Sequence, residues 1–118
     1  MKQARTPALR LERMAAHSEE AARLLRALAN PQRLRILCML VGQELTVGRI
    51  NGNLPDLSQS ALSQHLAKLR DEKLVATRRD AQNVYYSLPP GPAQEIIAVL
   101  YGIYCGPPRS GQRTARAR

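Results

Sequence analysis

Residues 57–88 read LSQSALSQHLAKLRDEKLVATRRDAQNVYYSL, and this stretch decides the fold. Leu62, Leu66 and Leu69 recur at the spacing of one helical face, and Ser58 is a residue type favoured immediately before a helix. The first half of the stretch therefore predicts a helix that starts at Ser58, ends near residue 73 and turns its leucines toward a core.

The second half of the stretch predicts a β-hairpin. Residues 75–79 and 84–88 are rich in Val, Thr and Tyr, and the polar residues 80–83 lie between them. Upstream, residues 46–53 predict a short helix capped by Thr46, and a turn follows it. A short helix, a turn, a longer helix and a hairpin form a winged helix-turn-helix, which is a DNA-binding arrangement.

The flanking segments predict four more helices, so the expected fold class is mainly α with a small β-hairpin. Capping and helix-stopping residues place these helices at residues 7–16, 18–30, 31–41 and 93–104, with Ser18 as the cap of the second. We expect three regions, namely an N-terminal arm with the first helix (1–17), the winged helix-turn-helix domain with its last helix (18–105) and a basic tail (106–118).

Length and charge fit a single DNA-binding domain. The 118 residues carry 18 Lys+Arg against 9 Asp+Glu, a net charge of +9 that favours a polyanionic partner. Much of the excess lies in the two ends, which either add affinity for phosphates or are simply solvated. No apolar run is long enough to span a membrane and no signal-peptide pattern is present, so we expect a cytoplasmic protein without a membrane partner.

The polar side of the predicted helix at 58–73 is the candidate DNA-reading face. Ser and Gln side chains can read base edges, Lys can bind guanine or phosphate, and the helix start offers free N–H groups to a phosphate. The alternative is an ordinary solvated helix face. Adjacent strand residues point to opposite faces, so only one of the two hairpin arginines is expected to reach DNA well. The candidate DNA contacts are Ser58, Gln59, Ser60, Ser63, Gln64, Lys68, Arg78 and Arg79.

The last predicted helix is apolar around nearly its whole circumference and must be buried all round. One small domain covers one side, so we expect a second copy of the chain on the other; the alternative is a central core helix. The candidate dimer contacts are Ile96, Ile97, Leu100, Ile103 and Tyr104. Leu9 and Leu11 of the first helix are expected to join the same interface.

The two cysteines are candidate sensor residues. A structural disulfide is disfavoured in a reducing cytoplasm, so the cysteines are more typical of redox or metal chemistry. Cys38 shares a predicted helix face with other apolar residues, and the alternative there is a small buried hydrophobe. Cys105 lies at a helix end, where solvent can reach it. A cysteine-dependent enzyme would need a histidine in reach, and neither His17 nor His65 lies in a recognisable motif, so we expect no enzyme.

Residues 27–40, ALANPQRLRILCML, together with residues 57–88, resemble the ArsR/SmtB (arsenic-repressor) family of winged-helix repressors. The resemblance implies a homodimer, built through terminal helices, that binds an imperfect inverted repeat in operator DNA and releases it when an inducer arrives. This sequence lacks the glycine that many members carry at the wing tip.

The resemblance also bears on the inducer. Metal-sensing members carry a Cys-Val-Cys-type motif in the short helix, where this chain has Thr46-Val47-Gly48, or Asp and His on the last helix, which this chain lacks. We therefore expect no metal site and no cofactor. Residues 36–38 (ILC) and 100–105 (LYGIYC) resemble the persulfide-sensing BigR/SqrR/HlyU-type branch. That likeness implies that sulfane sulfur or an oxidant bridges Cys38 and Cys105; a repressor that senses a metal or has no inducer is the alternative.

Overall fold

The computed structural model describes residues 7–106, with side chains from residue 10 onward. Its elements, in chain order, are α1 (Pro7–Leu28), α2 (Pro31–Met39), β1 (Leu45–Thr46), α3 (Val47–Gly52), α4 (Gln59–Asp71), β2 (Ala76–Asp80), β3 (Asn83–Ser87) and α5 (Pro92–Tyr104). The chain divides into two compact units between Asn30 and Pro31. The division into regions 1–17, 18–105 and 106–118 stays a prediction, and most of the last region lies outside the described residues.

The first unit contains one continuous helix, so the predicted break at Ser18 is wrong. No Gly or Pro interrupts the helix after Pro7, and its interior is rich in Ala, Leu, Glu and Arg, which have high helix propensity. Ser18 does not cap a helix. Its Oγ donates to the carbonyl oxygen of Ala15 at 3.1 Å, which satisfies the hydroxyl in the middle of the helix.

The second unit is built around one apolar core. Within it, α2 packs against α5 and α3 packs against α4. The buried side chains of this core are Ile36, Leu37, Leu40, Leu45, Ile50, Leu54, Leu62, Leu66, Leu69, Leu74, Val75 and Ile97. The three leucines predicted to face the core from α4 are all among them, which confirms the helical phase on which the DNA-reading face depends.

Both predicted helix caps of the helix-turn-helix are confirmed. The Thr46 side chain accepts a hydrogen bond from the Arg49 N–H at 3.3 Å, and the Ser58 Oγ accepts one from the Ala61 N–H at 3.1 Å. These bonds satisfy N–H groups that the first turn of a helix leaves without intrahelical acceptors. The Thr46 cap stabilises α3 although two of its six residues are glycines.

The wing is a three-stranded antiparallel sheet in the order β1-β3-β2. The hairpin was predicted to within a residue, but β1 was missed because two residues carry no strand pattern. Leu45 pairs with Tyr86, and Thr46 pairs with Tyr85. At the tip, Ala81 has a φ of 60°, a conformation for which glycine is the usual choice.

None of the helices within residues 7–106 is long and apolar enough to cross a membrane. The basic residues near the two ends of the chain, apart from Arg10, lie outside the described side chains, and so does Leu9.

Candidate nucleic-acid interface and cysteine pair

The polar face of α4 is exposed to solvent. Ser60, Ser63, Gln64 and Lys68 are all exposed, on the side of α4 opposite the buried leucines. Ala67 lies among them and is also exposed, so no bulky apolar side chain interrupts the surface. This face carries hydroxyl, amide and ammonium groups that can bind base edges and phosphates.

The start of α4 presents backbone donors beside this face. Ser58 uses its Oγ to accept from the Ala61 N–H and its carbonyl oxygen to accept from the Leu62 N–H. Within the described residues, the N–H groups of Gln59 and Ser60 have no hydrogen-bond acceptor. Two N–H groups at the positive end of a helix suit a backbone phosphate of DNA.

The two hairpin arginines have different environments. Arg78 forms a bidentate ion pair with Glu44, with its Nη2 2.7 Å from Oε1 and its Nε 3.1 Å from Oε2. Its guanidinium also lies 4.6 Å from the centre of the Tyr85 ring. Arg79 is exposed and, among the residues described, has no ion pair. The wing cation that is free to bind a phosphate is therefore Arg79.

The Arg78–Glu44 pair follows from the strand register. Arg78 pairs with Tyr85, and Tyr85 pairs with Thr46, so the three side chains lie on one face of the sheet. Glu44 precedes Thr46 by two residues, and the Arg78 side chain crosses the Tyr85 ring to reach it. The ion pair lowers the pKa of Glu44 below its ordinary value, so the carboxylate stays ionised at neutral pH.

Sequence reasoning missed two residues at this interface. Glu44 binds one of the predicted DNA contacts, and no local pattern signals it because its partner lies 34 positions away. Arg49 is an exposed base on α3, the first helix of the helix-turn-helix, which in this motif crosses the DNA backbone. It is the basic residue of that helix, a signal that the sequence already carried.

The two cysteines lie on two helices that pack against each other. Cys38 lies half-buried on α2, and Cys105 is the exposed C-cap residue of α5, the helix that packs on α2; both thiols are free. Burial raises the pKa of the Cys38 thiol, and the charge of the Cys105 thiolate raises it further.

The chain turns tightly after Cys105. The Cys105 N–H donates to the Tyr101 carbonyl at 2.7 Å, and a Cβ added to Gly106 would lie 2.8 Å from the carbonyl oxygen of Gly102. A side chain at position 106 would thus force the last turn of α5 to shift. Gly106 is needed at this position because it lets the chain close against the last turn of α5.

An apolar stripe on α5 is open to solvent. Ile96, Val99, Leu100 and Ile103 follow the i, i+3, i+4, i+7 spacing of one helical face, and Val99 and Ile103 are 61% and 57% exposed. Ile97 points the other way and is 0% exposed, so this predicted dimer contact belongs to the core of the protomer.

Other exposed apolar side chains lie outside this stripe. On α5, Tyr104, a predicted dimer contact, is 77% exposed; in the first unit, Leu11, Met14 and Leu25 of α1 are exposed large hydrophobics.

The histidines are not part of a ligand cluster. His17 is exposed and lies 3.3 Å from Glu20, and His65 is half-buried beside the leucine face of α4. Across residues 7–106, no group of three His, Cys, Asp or Glu side chains is arranged to hold a metal ion.

A helix-turn-helix with an exposed polar recognition helix and a three-stranded wing defines a winged-helix DNA-binding regulator. Residues 30–77 match the family of bacterial regulatory proteins of the arsR type. The transcriptional activator HlyU of Vibrio cholerae is 48% identical over 97 residues, which is 82% of this chain and 89% of that protein. The chain belongs to the arsR family of bacterial transcriptional regulators.

Solved structures agree with this assignment. The transcriptional regulator HlyU from Vibrio vulnificus matches with a TM-score of 0.75 and 51% identity, covering 81% of this chain and 99% of that one. The transcriptional repressor BigR from Xylella fastidiosa matches with a TM-score of 0.73 and 36% identity, covering 80% and 92%. These relatives are DNA-binding regulators and not enzymes, and the expected fold class is confirmed.

Proposed function

We propose that this protein is a homodimeric repressor that binds an inverted-repeat operator and releases it when Cys38 and Cys105 become bridged. The observation that supports the proposal is the packing of α2, which carries the half-buried Cys38, against α5, which ends at the exposed Cys105. The contacts with DNA, the dimer and the cysteine chemistry are each supported by separate features.

The DNA contacts rest on exposure and chemistry. The polar face of α4 enters the major groove, where Ser63 and Gln64 read bases and Lys68 binds guanine or phosphate. Arg79 on the wing and Arg49 on α3 bind the phosphate backbone on either side. The name of the relative BigR, a transcriptional repressor, agrees with a role in which binding blocks transcription.

The dimer rests on the open apolar stripe of α5. Four side chains at helical spacing form a continuous surface that a second copy covers by two-fold symmetry. Two recognition helices then face two half-sites about 34–36 Å apart, one turn of DNA. We expect the protein to act in the cytoplasm, because operator DNA lies there and because its thiols are kept reduced there.

The cysteine chemistry begins at the exposed thiol. The Cys105 thiolate attacks the outer sulfur of a small persulfide, takes that sulfur and releases the carrier thiol, so that Cys105 carries an –S–SH group. The Cys38 thiolate then attacks the inner sulfur of this group and expels hydrosulfide, which leaves a disulfide. If both cysteines are persulfidated first, the terminal sulfur of one attacks the inner sulfur of the other, expels hydrosulfide and leaves a trisulfide.

The length of the bridge sets the selectivity of the sensor. A plain disulfide needs Cα atoms about 4.4–6.8 Å apart, and each inserted sulfur lengthens the reach. Mass spectrometry of the protein after treatment with a persulfide, and separately with hydrogen peroxide, measures this length. The expected result is a peptide pair that links Cys38 to Cys105 within one protomer; a bridge between two protomers, or none, contradicts the proposal.

Operator binding tests the DNA contacts. Gln64→Ala is expected to lose discrimination against altered operators by about 1–3 kcal/mol, the value of one good base contact. Gln82→Ala changes the same residue type in the wing tip and serves as the control. If the Gln64 variant discriminates as well as the control, the proposed reading face is wrong.

A metal titration separates the sensor classes. Zinc, cadmium and arsenite are expected to leave the operator complex intact at one equivalent per protomer, because the short helix supplies no thiolate pair. Release at that stoichiometry would overturn the cysteine-bridge proposal in favour of metal sensing.

A further inference from the structure

Two arginines of α2 bind residues at the two ends of the recognition helix α4. The Arg35 Nη1 and Nη2 donate to the two carboxylate oxygens of Asp56 at 2.8 and 2.9 Å, and Asp56 lies two residues before the N-cap Ser58. The Arg33 Nη1 and Nη2 donate to those of Glu72 at 3.0 and 3.4 Å, and Glu72 is the C-cap of α4. We call these two ion pairs the α2–α4 clamps.

The geometry of the clamps fixes orientation as well as distance. An arginine that binds both oxygens of a carboxylate constrains the plane of the pair, which a single contact does not. Arg35 is itself held by the side-chain oxygen of Gln32 at 2.9 Å. The side chain of Arg33 is only 12% exposed, so solvent screens its pair with Glu72 less than it screens an open surface pair. The Arg35–Asp56 pair is more exposed, with side chains 40% and 54% accessible. With one pair at each end of α4, we expect the two together to resist rotation of α4 against α2.

The helix that carries the clamps also carries the half-buried cysteine. Cys38 lies one turn after Arg35 on α2, and α2 packs on α5, which ends at Cys105. We expect α2, a helix of nine residues, to move as one body when a new bond forms at Cys38, and helix shifts of about 1–2 Å are typical of switching transitions. A shift of that size carried to α4 exceeds the distance range over which a hydrogen bond to a base edge persists.

We propose that Arg33 and Arg35 are positioning residues that set the orientation of α4 for base reading, and that the α2–α4 clamps transmit the bridging of Cys38 and Cys105 to that helix. The first statement requires only that α4 reads DNA. The second rests on the proposed cysteine switch, so the test has two arms that fail separately.

The variants remove the clamps and keep the arginines. Asp56→Asn and Glu72→Gln, singly and together, replace the carboxylates with amides of the same shape. Asp71→Asn is the matched control, because Asp71 is the exposed carboxylate next to Glu72 and, within the described residues, has no ion pair. Arg35→Lys keeps the charge but loses the bidentate geometry, and its effect is expected to lie between wild type and Asp56→Asn.

The first arm measures the reduced proteins on an operator duplex and on a duplex of unrelated sequence over a range of salt. The clamp variants are expected to lose about 5- to 150-fold in the ratio of the two affinities, as when one base contact is lost. The ratio is the readout because the charge freed at Arg33 and Arg35 raises the affinity for both duplexes. Asp71→Asn is expected to keep the ratio. Thermal unfolding identifies any variant that fails to fold. If the double variant does not fold, the affinity ratios of the two single variants test the proposal. Clamp variants that keep the wild-type ratio overturn the proposal.

The second arm measures operator affinity before and after persulfide treatment. Wild type and Asp71→Asn are expected to weaken by about 5- to 150-fold, the usual range of coupling between two sites, and the double clamp variant by a factor close to one. A double variant that forms the Cys38–Cys105 bridge and is released as fully as wild type contradicts transmission through the clamps. If wild type itself is not released, the cysteine switch fails, while the first arm still decides whether the arginines position α4.

Discussion

Replacing Ile103 by alanine tests the apolar stripe of α5 as a dimer interface. Ile103 is 57% exposed in the protomer, so the substitution removes surface of the proposed dimer interface and leaves the core of the protomer intact. Full burial of an isoleucine side chain stabilises by about 1.5–3 kcal/mol, and the uncovered share of Ile103 corresponds to about 1–1.5 kcal/mol. In a two-fold dimer each protomer contributes one Ile103, so the substitution weakens dimer association by about 2–3 kcal/mol in total. This loss raises the dissociation constant about 30- to 150-fold.

Sedimentation equilibrium over a range of protein concentration measures this constant. Gln82→Ala, an exposed residue in the wing tip, is the control and is expected to dissociate as wild type does. A second variant, Val99→Ala, is expected to weaken the dimer in the same direction, because Val99 lies one turn earlier on the same stripe. An unchanged dissociation constant in both stripe variants would refute the assignment of this surface to dimerisation.

Three further predictions concern the recognition helix, the wing and the thiols. Lys73 adopts a φ of 63° just after α4, a left-handed conformation that costs a residue with a side chain about 1–2 kcal/mol. Lys73→Gly removes this cost, although the greater freedom of glycine in the unfolded chain offsets part of the gain. The variant is therefore expected to raise the Tm by about 2–8 °C in a thermal melt, and a lower Tm contradicts this. Arg79→Ala is expected to reduce the salt slope of operator binding by about one unit. Arg78→Ala is expected to reduce the slope less, because Glu44 already binds Arg78. Equal reductions in the two variants would show that Arg78 leaves Glu44 to bind DNA. Because burial raises the pKa of Cys38 above its ordinary value, alkylation of this thiol in a Cys105→Ser protein should accelerate about tenfold per pH unit through the neutral range, and a plateau near neutral pH would contradict the raised pKa.

Features that depend on neighbouring residues were predictable from the sequence. The caps at Thr46 and Ser58 and the leucine face of α4 depend on spacings of three or four positions, and the structure has all of them as predicted. Ser18 shows the limit of such reasoning. A serine followed by two glutamates favours a helix start, but here the surrounding helix-forming residues outweigh that signal and the hydroxyl bonds within the helix.

Features that depend on distant residues were not predictable. The pair between Arg78 and Glu44 exists because a two-residue strand docks beside the hairpin, and two residues carry no periodicity. For Ile97, the apolar pattern of the helix does not show which of its residues face the core of the protomer and which are exposed. The α2–α4 clamps likewise join residues 21 and 39 positions apart.

The most direct test of the account measures operator binding by wild type, Cys38→Ser and Cys105→Ser before and after persulfide treatment, with mass spectrometry on the same samples. All three reduced proteins are expected to bind the operator equally, because neither cysteine lies on the polar face of α4. Only wild type is expected to form the bridge and weaken its binding, with tenfold weaker binding corresponding to about 1.4 kcal/mol of coupling between the two sites. A Cys105→Ser protein that still releases its operator on persulfide treatment would contradict the two-cysteine switch.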